Sequence, residues 1–473
     1  MSDHTARVLL PAPVKITPSP GKLQVRKLAS VSIAPEFNMV VPELKRLFKA
    51  LAMPMEFVSA EADIELKNRP MQSGAWQMKI TPEKITICAG ERTGAYYGTN
   101  ALAQMLFAAM KKGHPEDALD CAEIKDAPRY QWRGFMLDSA RQFQNKDFII
   151  KFLHTLSAFR INSFHWHLVD SQGWRYPSKT AEKLGPTGHW SFGQYTREDL
   201  QEICQCARNL GIRIIPEVDV PGHSTFLLQH YPEYACSPTE ECNEFCLGNP
   251  GSMTFIKEIL AELMEIFPDS PIIHIGGDEA DTEHWEKCPE CNAALKAKNI
   301  TDMRALENDF MAELANFVLS KGRTPMIWGP GIEQIYPPET IIQTWLNLRD
   351  TLRFHKHGNK VVHSVHSSLY FDYPANLNEY WESWMVELTE QGVYMTDPYF
   401  KWYEQLKDTV LGLEACLWTE TAPQHRIIPK LFPRIFAYAE CAWSQEDNKN
   451  WNDYLRRKGL LEASGYLDFI KDI

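Results

Sequence analysis

The chain has 473 residues, 44% of them hydrophobic and 23% charged, with 49 Lys and Arg against 61 Asp and Glu for a formal net charge of −12. That length holds one large domain and a smaller one, with enough apolar residue for a sizeable core. The acidic balance argues against a broad electrostatic grip on nucleic acid or anionic lipid, and leaves neutral ligands such as sugars open.

The first part, up to about residue 126, reads as α+β. Strands are expected over 30–34 and 62–67, and an amphipathic helix over 40–52. Residues 76–80 and 84–88 alternate around a Thr-Pro-Glu turn and predict a hairpin, followed by a helix over 94–110. The stretch 125–130 (KDAPRY) breaks the pattern, which sets the expected domains at 1–127 and 128–473.

Beyond Gln131 short apolar strands alternate with amphipathic helices. The strands begin near Gly134, Asn162, Arg213, Ile272, Pro325, Ile341, Lys360 and Leu413. Helices fit between them, for example over 146–159, 197–210, 252–267 and 303–321. A doubly wound sheet also alternates in this way, but eight parallel units favour closure. The expected fold class is therefore α/β, a (β/α)8 TIM barrel preceded by a smaller α+β domain. No repeat, low-complexity run or stretch of membrane-spanning length interrupts it. The first twenty residues, MSDHTARVLLPAPVKITPSP, lack a basic leader and a continuous apolar segment. As it stands the sequence reads as cytoplasmic, or periplasmic or secreted if a leader was removed.

Polar and aromatic residues collect at or just past the strand ends: Arg141, Asp170, His223, Asp278, Glu279, Trp328, Trp345, Tyr370, Asp372, Trp418 and Glu420. In a barrel these ends converge on one face, which carries the active site. The sharpest element is HIGGDEA, residues 274–280, where an apolar strand meets two glycines and two adjacent carboxylates. Glycine allows the tight turn without a Cβ penalty. An isolated Asp-Glu pair is usually a solvated surface feature, but this one follows a buried strand. Adjacent carboxylates cannot easily straddle a sugar ring, as the separated pairs of most glycosidases do. They suit substrate-assisted hydrolysis, in which a 2-acetamido oxygen attacks the anomeric carbon. Glu279 then serves as general acid and base, and Asp278 holds the acetamide N–H. Glu279 must start protonated in a partly desolvated site, which predicts a mildly acidic to neutral pH optimum.

HIGGDE, together with RGFMLDSARQF (133–143), FHWHLVDSQGWR (164–175), PEVDVPGHS (216–224) and LWTE (417–420), resembles glycoside hydrolase family 20, the β-N-acetylhexosaminidases. The N-terminal PAPV and GAYYGTNALAQML segments are similar to that family's non-catalytic domain. The resemblance implies an exo-acting, retaining enzyme that needs no cofactor for catalysis and acts on glycans ending in GlcNAc or GalNAc. It implies that Asp278 and Glu279 are the catalytic pair, and that Asp170 and His223 support the acid/base. Arg141 would bind the sugar hydroxyls, Tyr370 the acetamide carbonyl, and Asp372 would stand beside it. Trp328, Trp345 and Trp418 would form the aromatic walls, and Glu420 would contact O4 and O6. Family barrels can pair through loops near the site, so a homodimer is an open expectation, with no nucleic-acid or membrane partner. A lacto-N-biosidase, a sulfated-GlcNAc hydrolase and a non-catalytic glycan-binding barrel are the competing readings.

Plainer readings exist for several of these residues. His223 alone suits a loop hydrogen bond, Arg141 a structural ion pair, and Trp328 and Trp345 the barrel core. The fourteen Trp and 17 Tyr of the chain suit either a core or a sugar site. His165 and His167 flank Trp166 on a strand and resemble a metal pair, but are read as structural. The chain departs from the family at Ser171 (after Asp170), at Gln142, and at Gly329-Pro330-Gly331 after Trp328, which bears on fine specificity rather than on the catalytic pair.

Eleven cysteines leave at least one unpaired. Cys242 and Cys246, with the knuckle Cys288-Pro-Glu-Cys291, are spaced to bind a structural zinc, to form two disulfides, or to remain free thiols. Cys236 is a further candidate partner.

Overall fold

The computed structural model describes residues 5–110, 117–237, 242–329, 336–347, 349–376, 378–380, 382–398 and 404–471. Alternating apolar side chains make Trp76–Ile80 and Ile85–Ala89 an antiparallel hairpin, with Trp76 opposite Ala89 and Ile80 opposite Ile85. The hairpin lies inside a seven-stranded sheet that Ser30–Ile33 and Ile64–Asn68 extend in parallel. Three strands had no clear sequence signal: Lys15–Gln24, Glu56–Val58 and Ala118–Asp126. Lys15–Gln24 carries Pro18 and Pro20, which only an edge strand tolerates, and its register shifts between Pro18 and Lys22. Ala118–Asp126 has few β-branched residues and is held by pairing on both sides, against Lys15–Gln24 and Trp76–Ile80.

The helix Arg92–Ala109 is buried on almost every side, because the sheet covers one face while barrel helices and the chain's last two helices cover the others. Gly98 permits the close approach to the sheet; a Cβ there would stand 2.7 Å from Ile87 Cγ2. Asp126, at the end of the sheet, accepts from Arg160 and from the Trp443 indole, both barrel residues. Glu440 likewise accepts from the Ala12 backbone and from Arg457, on the helix Trp451–Ser464 that crosses back to the small domain. A buried ion pair and buried hydrogen bonds to backbone thus fasten the two units together.

The barrel strands are β1 (Trp132–Asp138), β2 (Ser163–His167), β3 (Arg213–Val220), β4 (Ile272–Gly276), β5 (Thr324–Gly329), β6 (Ile341–Thr344), β7 (Lys360–His363) and β8 (Val410–Leu417). All eight are parallel and close into a TIM barrel, β8 pairing with β1 from Gly412–Trp132 to Leu417–Leu137. The helices Lys146–Ala158, Arg197–Leu210, Pro250–Ile266 and Met303–Ser320 stand where periodicity put them. Trp132, Ile215, Ile272, Met326, Ile341 and Val362 pack together as a separate apolar layer. Among the described residues, no helix is long and apolar enough to cross a membrane.

Candidate active site

Strand β4 ends at Gly276 and Gly277 follows it, at φ 67° and 101°. A Cβ on Gly276 would fall 1.8 Å from Asp219 Oδ1, so no side chain fits there. The turn delivers Asp278 into the barrel mouth, 9% exposed, and Glu279 beside it, facing solvent. Glu279 and His223 both adopt a left-handed backbone at φ 50°, a conformation that costs a non-glycine residue about 1–2 kcal/mol. Their two imidazole and carboxylate ends meet: His223 Nε2 is 3.6 Å from Glu279 Oε2.

Behind this pair runs a buried chain of charges. His223 Nδ1 is 3.2 Å from Asp170 Oδ1, and His167 Nε2 is 2.7 Å from Asp170 Oδ2. His167 Nδ1 contacts Glu217, which also takes His165 Nε2 at 3.0 Å and the Trp328 indole N–H at 2.6 Å. His165 reaches on to Glu414 at 2.7 Å. Burial opposes charge on His165, but Glu217 and Glu414 override it and raise its pKa to about 9. His223 is raised well above the ordinary histidine range against burial, by Asp170 and Asp219. His165 and His167, read as structural, are the inner links of this chain. Glu217 and Asp219 were quoted within PEVDVPGHS without a role; their signal is two carboxylates at alternate positions of an otherwise apolar strand.

The carboxylates at the mouth titrate differently. Burial pushes Asp278 up to about 6, opposed by His223 and aided by the neighbouring Glu279 charge. The His223 imidazole, 3.6 Å away, holds Glu279 below the usual range, against burial. The partly desolvated Glu279 expected from the sequence is not raised in this structure, because the neighbouring His223 outweighs burial. Burial, with Glu420 nearby, pushes Asp372 up to about 8.

One pocket gathers Arg141, His223, Asp278, Glu279, Trp345, Tyr370, Asp372, Trp418 and Glu420. Asp170 lies beneath it, 3.0 Å from Arg141 Nη2, and Trp418 lies 5.0 Å from the guanidinium carbon. Trp328 is not at the pocket wall. It is fully buried behind Trp418, at a centroid distance of 5.6 Å, with its N–H committed to Glu217. The pocket also includes Tyr373, Trp384 and Met385, which sequence reasoning missed. They come shortly after Tyr370, which caps the short helix His366–Leu369 beyond β7, in an aromatic-rich stretch of sequence without strand or helix periodicity. Four polar atoms of the pocket residues are buried without a hydrogen-bond partner among the described residues: Asp278 Oδ1, Arg141 Nη1, His223 Nε2 and Trp345 Nε1. Buried polar groups are ordinarily paired, so such a convergence marks a site shaped for a polar ligand.

A family model for the catalytic domain of glycosyl hydrolase family 20 matches residues 130–446, and one for domain 2 of that family matches residues 6–127. The chain belongs to glycoside hydrolase family 20. It is 31% identical over 454 residues to a β-hexosaminidase of Akkermansia muciniphila, covering 91% of this chain and 89% of that one. It is 30% identical to the β-hexosaminidase subunit beta of Felis catus over 78% of this chain and 69% of that one. The crystal structure of an exo-β-N-acetylglucosaminidase of this family from Vibrio harveyi, in complex with N-acetylglucosamine, matches with a TM-score of 0.87 at 27% identity, over 97% of this chain and 78% of that one. The chain is thus a glycoside hydrolase.

Two departures from the family pattern have visible partners in this hydrolase. Ser171 donates through its hydroxyl to Asn243, and the Gln142 backbone N–H donates to Thr419 Oγ1 at 3.1 Å. The third falls partly on Pro330 and Gly331, outside the described residues. The cysteine expectation needs correcting. Among the described residues no disulfide joins two cysteines, and the close group is Cys236, Cys246, Cys288 and Cys291, not the set containing Cys242. Cys242 sits instead beside Glu244 and His284, with its thiol directed at the Glu244 carbonyl, because the chain turns between residues 242 and 246.

Proposed function

We propose that this hydrolase is an exo-acting, retaining β-N-acetylhexosaminidase that releases terminal GlcNAc or GalNAc from glycans, with the substrate's acetamide group as nucleophile. The observation that carries the reading is Asp278 Oδ1, buried without a hydrogen-bond partner one residue from Glu279, in a pocket where the Trp345 indole N–H also has none. An amide N–H is the kind of group a buried lone carboxylate oxygen lacks. Two adjacent carboxylates also leave no protein nucleophile on the opposite face of a sugar ring. The β-hexosaminidase names of the relatives support the same reading.

In the first step Glu279 gives its proton to the glycosidic oxygen as the bond to C1 breaks. The acetamide oxygen forms its own bond to C1 from the other side. Asp278 accepts the acetamide N–H and stabilises the positive charge that spreads over the oxazolinium ring. Burial holds the Tyr370 phenol well above its ordinary pKa, so it stays protonated and can donate to the acetamide oxygen. In the second step Glu279 takes a proton from water, whose oxygen bonds to C1 as the ring opens. Two inversions retain configuration. Arg141, Asp372 and Glu420 suit the sugar hydroxyls, and Trp345 and Trp418 its apolar surfaces. Trp328 acts on this reading through Trp418 and Glu217, without touching the sugar.

Glu279 is low in the open site, but a bound sugar displaces the water around it and favours its protonated form. With Asp278 near 6, the pair holds one proton over an acidic window and shares it. The reactive arrangement has that proton on Glu279, so the pH optimum lies on the acid side of 6. The test is nitrophenol release from β-linked N-acetylglucosaminide, N-acetylgalactosaminide and plain glucoside. Turnover of the acetamido sugars alone, greatly reduced but still measurable in Asp278→Asn, is expected; equal turnover of the glucoside would sink the substrate-assisted mechanism.

A further inference from the structure

On the same barrel face, beyond the pocket, four sulfurs from two loops meet. Cys236 and Cys246 come from the loop after β3, and Cys288 and Cys291 from a knuckle after β4 that opens the helix Pro289–Ala297. The Cys236–Cys291 and Cys246–Cys288 sulfur distances are 3.6 Å, and Cys246–Cys291 is 3.7 Å. All four sulfurs lie within 4.8 Å of one another, three of the residues being buried. Thiolates placed tetrahedrally at the usual zinc–sulfur bond length of about 2.3 Å are about 3.8 Å apart. A disulfide would draw one pair to about 2.05 Å. Here Cys246 is near both Cys288 and Cys291, so the arrangement is a cluster and not two pairs. Gly248 lets the backbones close on one another; a Cβ there would meet the Glu290 carbonyl carbon at 2.2 Å.

We propose that Cys236, Cys246, Cys288 and Cys291 bind one structural zinc ion. Four protein ligands fill a tetrahedral shell and leave no open position, so the ion takes no part in the hydrolysis. Two other buried groupings are already paired by hydrogen bonds or ion pairs: Glu217 with His165 and His274, and Glu244 with His284.

The zinc has a mechanical task. The segment 242–246, anchored by Cys246, touches both loops that carry the strained residues. On one side Ser224 N donates to the Asn243 carbonyl at 3.0 Å, and Phe245 N to the Pro221 carbonyl at 2.9 Å, bracketing His223. On the other, Asp281 N donates to Glu244 at 3.2 Å, and the Trp285 indole to the Phe245 carbonyl at 2.9 Å, just beyond Glu279. Left-handed residues persist only where their surroundings over-determine them. Tying Cys246 to the β4 knuckle supplies that restraint at both positions.

The test begins with elemental analysis of the full chain purified without added metal. One zinc per chain is expected, released by a mercurial as the thiols react. Cys288→Ser with Cys291→Ser should lose it, whereas Cys242→Ser should keep it. The zinc-depleted wild-type chain should melt roughly 5 °C lower and turn over several-fold more slowly, with both restored by zinc alone. A chain without metal whose thiols all titrate, two disulfides found by mass, stoichiometric iron in place of zinc, or zinc lost in Cys242→Ser and kept in Cys236→Ser would each overturn the assignment. Metal counting on wild type and on Cys242→Ser decides the matter even where the double variant fails to fold, and it does not depend on which sugar is cleaved.

Discussion

The barrel interior changes chemistry along its axis. Trp132, Ile215, Ile272, Met326, Ile341 and Val362 fill one layer with apolar side chains. Toward the strand C-termini, His165, Glu217, His274, Gln343 and Glu414 are equally buried but polar, and each has a hydrogen-bonded or ion-paired neighbour. Burying apolar area stabilises the first layer without directional demands, so volume is what matters there. In the second layer a charge is tolerable only while its partners stay, and a lost partner leaves the other one stranded in low dielectric. The apolar layer holds the barrel closed. The polar one fixes His167, Asp170 and His223, and through them the position of Glu279.

That contrast can be broken at several points. The largest effect is expected at the mouth: Glu279→Gln should lower kcat roughly 10²–10⁴-fold with an unchanged melting curve, as removal of a general acid does. One layer in, Glu217→Gln should cost about 3–5 kcal/mol of stability, because three histidines and the Trp328 N–H converge on that carboxylate. Met326→Leu in the apolar layer should cost less than about 1.5 kcal/mol. Denaturant titration of both variants checks the pair, and similar costs would erase the distinction between the layers.

The polar layer should also weaken with pH. His165 is raised from the ordinary range near 6.5 to about 9, so its contribution is complete below 6.5 and is lost as pH rises through 9. The loss is at most about 3 kcal/mol, read as a falling denaturation midpoint. At the mouth, kcat/KM should fall as pH rises through about 6, where the Asp278–Glu279 pair loses its shared proton. In Asp278→Asn that limb should move to lower pH, toward the depressed value of Glu279. The smallest effect is at the rim, where Trp384 is 62% exposed. Trp384→Ala should raise KM a few-fold on extended glycans and leave kcat alone, whereas a fall in kcat would place this ring nearer the chemistry.

Much of this was legible in residue order. Periodicity located the barrel strands to within a turn, since each needs a short apolar run followed by polar residues at one end. HIGGDE announced its own geometry, because two glycines before two carboxylates have few other uses. Sequence order could not reveal that Trp328 faces inward to Glu217, since wall and core positions of a strand end look alike until the neighbours are placed. Nor could it rank Cys236 above Cys242. Spacing along the chain favoured the closer pair, 242 and 246, while the turn between them carries the Cys242 sulfur to Glu244 and leaves Cys236 to meet Cys291. Local patterning determined the barrel strands and singled out Asp278 and Glu279, because those depend on neighbours within a few residues. Most partnership among buried charges and sulfurs was decided by tertiary structure, because it depends on atoms forty or more residues apart arriving within hydrogen-bond or coordination distance.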